Sequence, residues 1–174
     1  MPHPLILQLR FTRSEFARAV RGVTDEEAAQ RPHGLNAIGW AVAHLTWQEQ
    51  KYFLHYGQGV LPYPDVDRAF RPGAPAITPA LDEALRTWRD VTRRSDHWLD
   101  TLDVAAMAAP YRKRDGSDGG RIVGDLVQRV IYHTWFHLGQ VVAVRRLLGH
   151  ETVPQFVGNI DQQASYLPEA AGAA

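Results

Sequence analysis

The sequence predicts an all-α fold, a four-helix bundle. Three observations predict it. Four segments repeat apolar residues every three or four positions, none alternates convincingly at period two, and prolines and glycines punctuate the ends. The first helix is expected over about 4–21, where Leu5, Leu9, Thr12, Phe16, Ala19 and Val20 share a face and Pro4 suits a first turn. A short helix follows in "TDEEAAQRP", where Thr24 and Glu27 form a capping box and Pro32 stops the run. Asn36 is placed as N-cap of the second long helix, about 37–56, with Gly57 closing it. The segment 57–78 carries Pro62, Pro64, Pro72 and Pro75 and reads as a crossover or a lid, being long for a loop. The third long helix is expected over about 79–102, with Thr78 as cap and Pro79 in the first turn. "YRKRDGSDGGR" is turn-rich, and Asp115-Gly116 suits a small hairpin. The fourth long helix is expected over about 122–148, ended by Gly149. Residues 1–168 are read as one helical domain, with Phe156, Ile160 and Tyr166 docking part of the tail, and 169–174 as a mobile end.

Composition removes several functions. Lys+Arg and Asp+Glu are both 19, so the formal net charge is zero and the footprint of a nucleic-acid binder is missing. The densest basic run, Arg112-Lys113-Arg114, reads as a solvated loop. Cysteine is absent, which excludes disulfides, Cys-based zinc sites and a cysteine nucleophile. No stretch approaches a membrane span, and "MPHPLILQLRFTR" lacks the apolar core of a signal peptide. A cytoplasmic protein with no membrane and no nucleic-acid partner is expected. GxSxG, Walker and GxGxxG patterns are missing too.

The chemistry gathers on three histidines. His133 and His137 lie four apart in "HTWFH", on the stripe Leu126, Val130, His133, His137, Val141, Val144 and Leu148 that should face inward. Two imidazoles one turn apart can share a metal ion, but a pair alone reads equally well as two satisfied core histidines. Thr134 stands where a zinc protease needs glutamate, so "HTWFH" is no peptidase motif. His44, in "IGWAVAHLTWQEQKYF" one turn from Trp40 and Trp47, adds a third nitrogen from a second helix. Three neutral ligands leave an ion its charge and an open position, the layout of a catalytic site rather than a structural one. His3, His33, His55, His97 and His150 fall outside the stripe and read as surface residues. Gln48 and Gln140 are candidate supports for the imidazoles, although Gln48 and Glu49 also read as solvated. Asp125 reads as a favourable charge at a helix start. Tyr132, Trp135 and Phe136 read as core or interface aromatics, or else as lining a substrate pocket, and Gly139 as a point of close helix approach.

The order His133, His137, Gly139-Gln140, "VVAVRRLLG" and a lone histidine on the second helix resembles the DinB/YfiT-like superfamily of metal-binding four-helix bundles. The helix order and length fit over most of the chain, whereas the specific residues lie on helices two and four. Leu138 stands where arginine is common, and "RIVG" opens helix four where threonine is more usual. The resemblance implies that His44, His133 and His137 ligate a divalent metal, zinc or nickel first and manganese or iron otherwise. It implies a crossover between helices two and three, which suits the proline-rich link, and a homodimer formed by helix packing. Relatives of this kind include bacillithiol transferases and mycothiol-dependent maleylpyruvate isomerases.

An ion held by three imidazoles could bring bound water to a pKa of ~7 or deprotonate a bound thiol. Three readings follow. One is an enzyme that transfers a low-molecular-weight thiol to an electrophile, or else a hydrolase. Another is a metal-binding stress-response bundle without turnover. The last is a plain scaffold whose histidines are core polar groups. With no cysteine in the chain, any thiol is a cosubstrate.

Overall fold

The computed structural model describes residues 3–113 and 115–166, so Arg114 and the expected end at 169–174 lie outside the described residues. The protein is all-α apart from one small hairpin. Its long helices are α1 (Pro4–Val20), α3 (Ile38–Glu49, continued by a π-helix over Gln50–Tyr56), α5 (Leu81–Leu99) and α7 (Val123–Leu147). Short helices α2 (Asp25–Ala29), α4 (Pro64–Ala69), α6 (Val104–Ala108) and α8 (Ile160–Gln163) lie between and after them. Strands β1 (Pro110–Arg112) and β2 (Asp118–Ile122) pair antiparallel around Asp115-Gly116, where Gly116 has φ +79°.

Side-chain contacts give the helix directions. Phe11 meets Trp135, and the Arg145 guanidinium donates to the Ala19 carbonyl at 2.6 Å, so α1 and α7 run parallel. Trp40 packs on His137 while His44 also reaches His133, so α3 and α7 are antiparallel. A Cβ added to Gly39 would lie 2.9 Å from the Pro79 carbonyl, and one on Gly57 would lie 2.9 Å from the Trp98 ring. The starts of α3 and α5 therefore meet, and so do their ends. Parallel neighbours cannot be joined by a tight turn, so the link 57–80 returns the length of the helices. It is a crossover, pinned along its course. Gln50, fully buried, donates to the Tyr63 carbonyl at 2.9 Å and accepts from the Tyr63 amide at 2.8 Å. Trp47 donates to Asp67 at 3.1 Å, and Phe70 packs with Ala43 and Trp47.

The main core joins Phe16, Ile38, Val42, Leu45, Leu81, Trp88, Leu138 and Val141 from all four long helices. Each large apolar side chain buried there contributes ~1.5–3 kcal/mol. The caps show where local sequence governs and where it does not. Thr24 and Glu27 form the expected reciprocal box. Asn36 and Thr78 are not the caps: α3 starts from Ala37 and α5 from Ala80, neither with a side-chain cap bond of its own. Instead Asp25, on α2, accepts from the Leu81 amide at 2.6 Å. That cap comes from another helix and is worth ~1 kcal/mol.

The tail docks in part. Phe156 packs on the main core, and the Ala164 carbonyl accepts from Gln8 at 2.6 Å. Tyr166 is exposed. Among the described residues no helix is long and apolar enough to cross a membrane.

Candidate metal centre

The three predicted histidines come together. His44 on α3 and His133 and His137 on α7 each offer a ring nitrogen, and these lie within 4.8 Å of one another. His44 and His137 are buried and His133 half-buried. The 3.6-residue period stacks His133 beneath His137, while the antiparallel packing of α3 and α7 brings His44 across. Trp40 and Trp47, four before and three after His44, hold its ring between them, with centroids at 4.6 and 5.2 Å. Those aromatic faces fix the ring plane.

Hydrogen bonds fix the tautomers. His44 Nδ1 lies 2.7 Å from the Phe70 carbonyl, which can only accept, so the proton is on Nδ1 and Nε2 is left with its lone pair. His137 Nδ1 lies 2.9 Å from Gln140 Oε1, with the same consequence. Its Nε2 is 3.1 Å from Nε2 of His133. Two nitrogens on one tetrahedral ion with ~2.0–2.1 Å bonds stand ~3.3 Å apart, so the rings are already near ligating separation. His133 Nδ1 is buried and has no partner.

This donor set fits a divalent ion. The lone pairs of His44 and His137 converge with no proton of their own to offer each other. One proton from His133 can serve only one of them. A cation takes all three. Burial, then His133 and His44, holds the pKa of His137 down to about 3. Burial, then His44 and Arg129, holds His133 at about 4. Burial lowers His44 as well, against the bond to Phe70. All three imidazoles are thus neutral, the ligating form, at physiological pH.

A cleft of about 720 Å³ opens onto His44 and His133. Gln48, Tyr52, Asp125, Arg129 and Tyr132 line it. Several expectations change here. Gln48 and Glu49 are not solvated but 5% and 2% exposed. Glu49 turns away from the histidines and pairs with buried Arg13. Tyr132 and Phe136 are not core residues: they stand 69% and 60% exposed, with Phe136 stacked on His133. Gly139 is no point of close approach among the described residues, because a Cβ there would meet nothing of theirs within 4 Å. Asp125 sits in the first turn of α7, as expected, yet also faces the cleft.

The other five histidines stay outside the cluster. His33 and His97 are exposed, whereas His3, His55 and His150 are half-buried. His3 accepts from the Leu5 amide, and His150 pairs with Glu27. Sequence reasoning missed Phe70 and Asp67. Phe70 acts through a backbone carbonyl, which no residue pattern reveals.

A family model described as the DinB superfamily matches residues 8–141, more than half of the chain and a span that includes all three histidines. No curated protein matches the chain.

Proposed function

The chain belongs to the DinB superfamily, and from that membership we propose a metal-dependent enzyme that joins a low-molecular-weight thiol to an electrophilic small molecule. His44, His133 and His137 would hold the ion through Nε2. One observation carries the reading: three neutral imidazoles converge, two with tautomers pinned by the Phe70 carbonyl and Gln140, at the floor of an open cleft. When bound, a divalent ion supplies a Lewis acid that lowers the pKa of a thiol or of water.

The residues supply orientation and access. Trp40 and Trp47 fix His44, and Gln140 fixes His137. The cleft leaves one side of the cluster open to a ligand. Among the described residues no carboxylate joins the histidine group. The histidines would therefore hold the ion without a carboxylate ligand, and Asp125, which lines the same cleft, is the acidic group nearest to hand for moving a proton in either thiol transfer or hydrolysis. The chain has no cysteine, so the sulfur arrives with the cosubstrate.

The test begins with elemental analysis of purified protein beside His137→Ala. About one ion per chain, lost in the variant while the helical circular dichroism persists, supports the site. No ion after incubation with zinc, nickel, manganese and iron(II) overturns it. A panel of electrophiles with bacillithiol, mycothiol and glutathione then reads turnover. Metal bound without turnover on any of them would leave a binding protein and overturn the enzyme.

A further inference from the structure

The cleft holds three groups that the histidine chemistry does not use. Gln48 is 95% buried by its 5% exposure, and its Oε1 is buried with no hydrogen-bond partner. A buried amide oxygen without a donor is destabilising, and Gln48 lines the same cleft as His44 and His133. Arg121 and Arg129 line the same cleft, and neither forms an ion pair among the described residues. Some arginines elsewhere in the chain do. Arg10, Arg13, Arg18, Arg68, Arg86, Arg93 and Arg94 each reach a carboxylate. Asp125, four residues along the chain from each of the two cleft arginines, comes within 4.0 Å of neither. The cleft therefore has two cations against one anion before any metal is counted.

Spacing sets the size of the ligand. Arg129 precedes His133 by one helical turn, ~5.4 Å along α7. Gln48 follows His44 by one turn on the facing helix. Because α3 and α7 run antiparallel, both steps lead the same way from the histidines. An acceptor and a guanidinium thus face each other across the cleft, one turn beyond the cluster.

We propose that this is the specificity end of the cleft: Arg129, with Arg121, binds an oxyanion of the substrate, and Gln48 Oε1 accepts a hydrogen bond from an N–H of the same molecule. The substrate class is then a small molecule carrying an oxyanion, carboxylate or phosphate, within a few bonds of an amide N–H, with its reacting atom at the histidines. This deepens the proposed function and rests on it for the identity of the reacting end. The binding end can be read without metal.

The test titrates three probes into the full chain by calorimetry at fixed ionic strength. N-acetylglycine carries a carboxylate and an amide N–H, N-acetylglycinamide is its neutral counterpart, and phenyl phosphate is the phosphate arm. Each is run on the wild type stripped of metal, on Arg129→Ala, Arg121→Ala and Gln48→Ala, and on Arg146→Ala as an exposed control. One of the two anions should bind measurably better than the neutral amide, and whichever wins names the oxyanion. Arg129→Ala should weaken that anion about tenfold or more, the ordinary effect of losing a charge-assisted bond. Gln48→Ala should weaken N-acetylglycine and leave phenyl phosphate unchanged. Arg146→Ala should bind as the wild type does. Equal binding of anions and neutral amide, or unchanged anion binding in both Arg129→Ala and Arg121→Ala, overturns the proposal. A wild type that binds the anion yet takes up no metal overturns the proposed function and leaves this subsite standing.

Discussion

Helix α3 carries two buried polar clusters five residues apart, and they are built on opposite plans. Around Glu49 every strong group is answered. Arg13 pairs with Glu49 through two nitrogens, donates to Asp96 at 2.7 Å and to Ser95 at 2.9 Å, and Ser95 donates on to the Thr92 carbonyl. Around His44 the outer nitrogens of two rings are answered, but the inner lone pairs of all three converge on one point. The first cluster is closed and ties α1, α3 and α5 together. The second is satisfied on its far side at His44 and His137 but not at His133, and is open on its near side. A closed network holds the fold, whereas a cluster whose ring nitrogens converge unanswered on one shared region is shaped for something that enters.

The sharpest way to break the comparison is to remove one member of each. His137→Ala should abolish stoichiometric metal while the helical signal and the Arg13–Glu49 pair survive, read by elemental analysis and circular dichroism. Glu49→Ala should do the reverse. It leaves a buried guanidinium partly unpaired and should cost ~3–5 kcal/mol in chemical unfolding, with metal content unchanged. Loss of metal in Glu49→Ala would show that the two clusters are one unit. Gln140→Ala frees the His137 ring without touching a ligand, so a ~10–100-fold weaker metal affinity is expected by competition with a chelator. An unchanged affinity would mean that packing alone orients His137.

Acid is the mildest perturbation, since every side chain stays in place. His133 and His137 titrate at about 4 and about 3 in the folded chain, below the ordinary 6.5. Their folded pKa values are depressed, so the stability they contribute is complete above ~6.5. As pH falls from there the unfolded chain takes up protons that the folded one refuses, and stability drains until about pH 3–4. Metal-free protein should show this loss in thermal unfolding between pH 6.5 and 4. Protein with both histidines replaced by alanine should show less of it. Equal slopes in the two proteins would assign the acid sensitivity elsewhere.

Much of the fold was legible along the chain. The 3.6-residue stripes place α1 and α7 to within a residue or two of their observed ends. Thr24 and Glu27 cap α2 as expected because a capping box is satisfied entirely by neighbours. Asn36 and Thr78 failed as caps because the α3 and α5 starts are set by packing, with Asp25 reaching across to Leu81. The extension of α3 by a π-helix over Gln50–Tyr56 also escaped, since its periodicity differs little from an α-helix over seven residues. At the site the pair His133 and His137 was ambiguous by spacing alone, and became readable as ligands only with His44 and the resemblance to the family. Arg13 and Glu49 were not, because a charged residue within an apolar stripe reads as solvated until its partner 36 positions away is seen.

The sequence by itself determined the helical class, the lengths of the helices, the crossover and the three nitrogens. The class, the lengths and the His133–His137 spacing are written in local periods, whereas the crossover and the place of His44 beside that pair came through the family resemblance. Tertiary structure alone decided that His44 faces His133 and His137, that Phe70 supplies the carbonyl that sets its tautomer, and that Gln48, Arg121 and Arg129 share one cleft. Those pairings join helices tens of residues apart. Which faces meet is settled by how the helices burden one another with apolar surface, and no local pattern records that outcome.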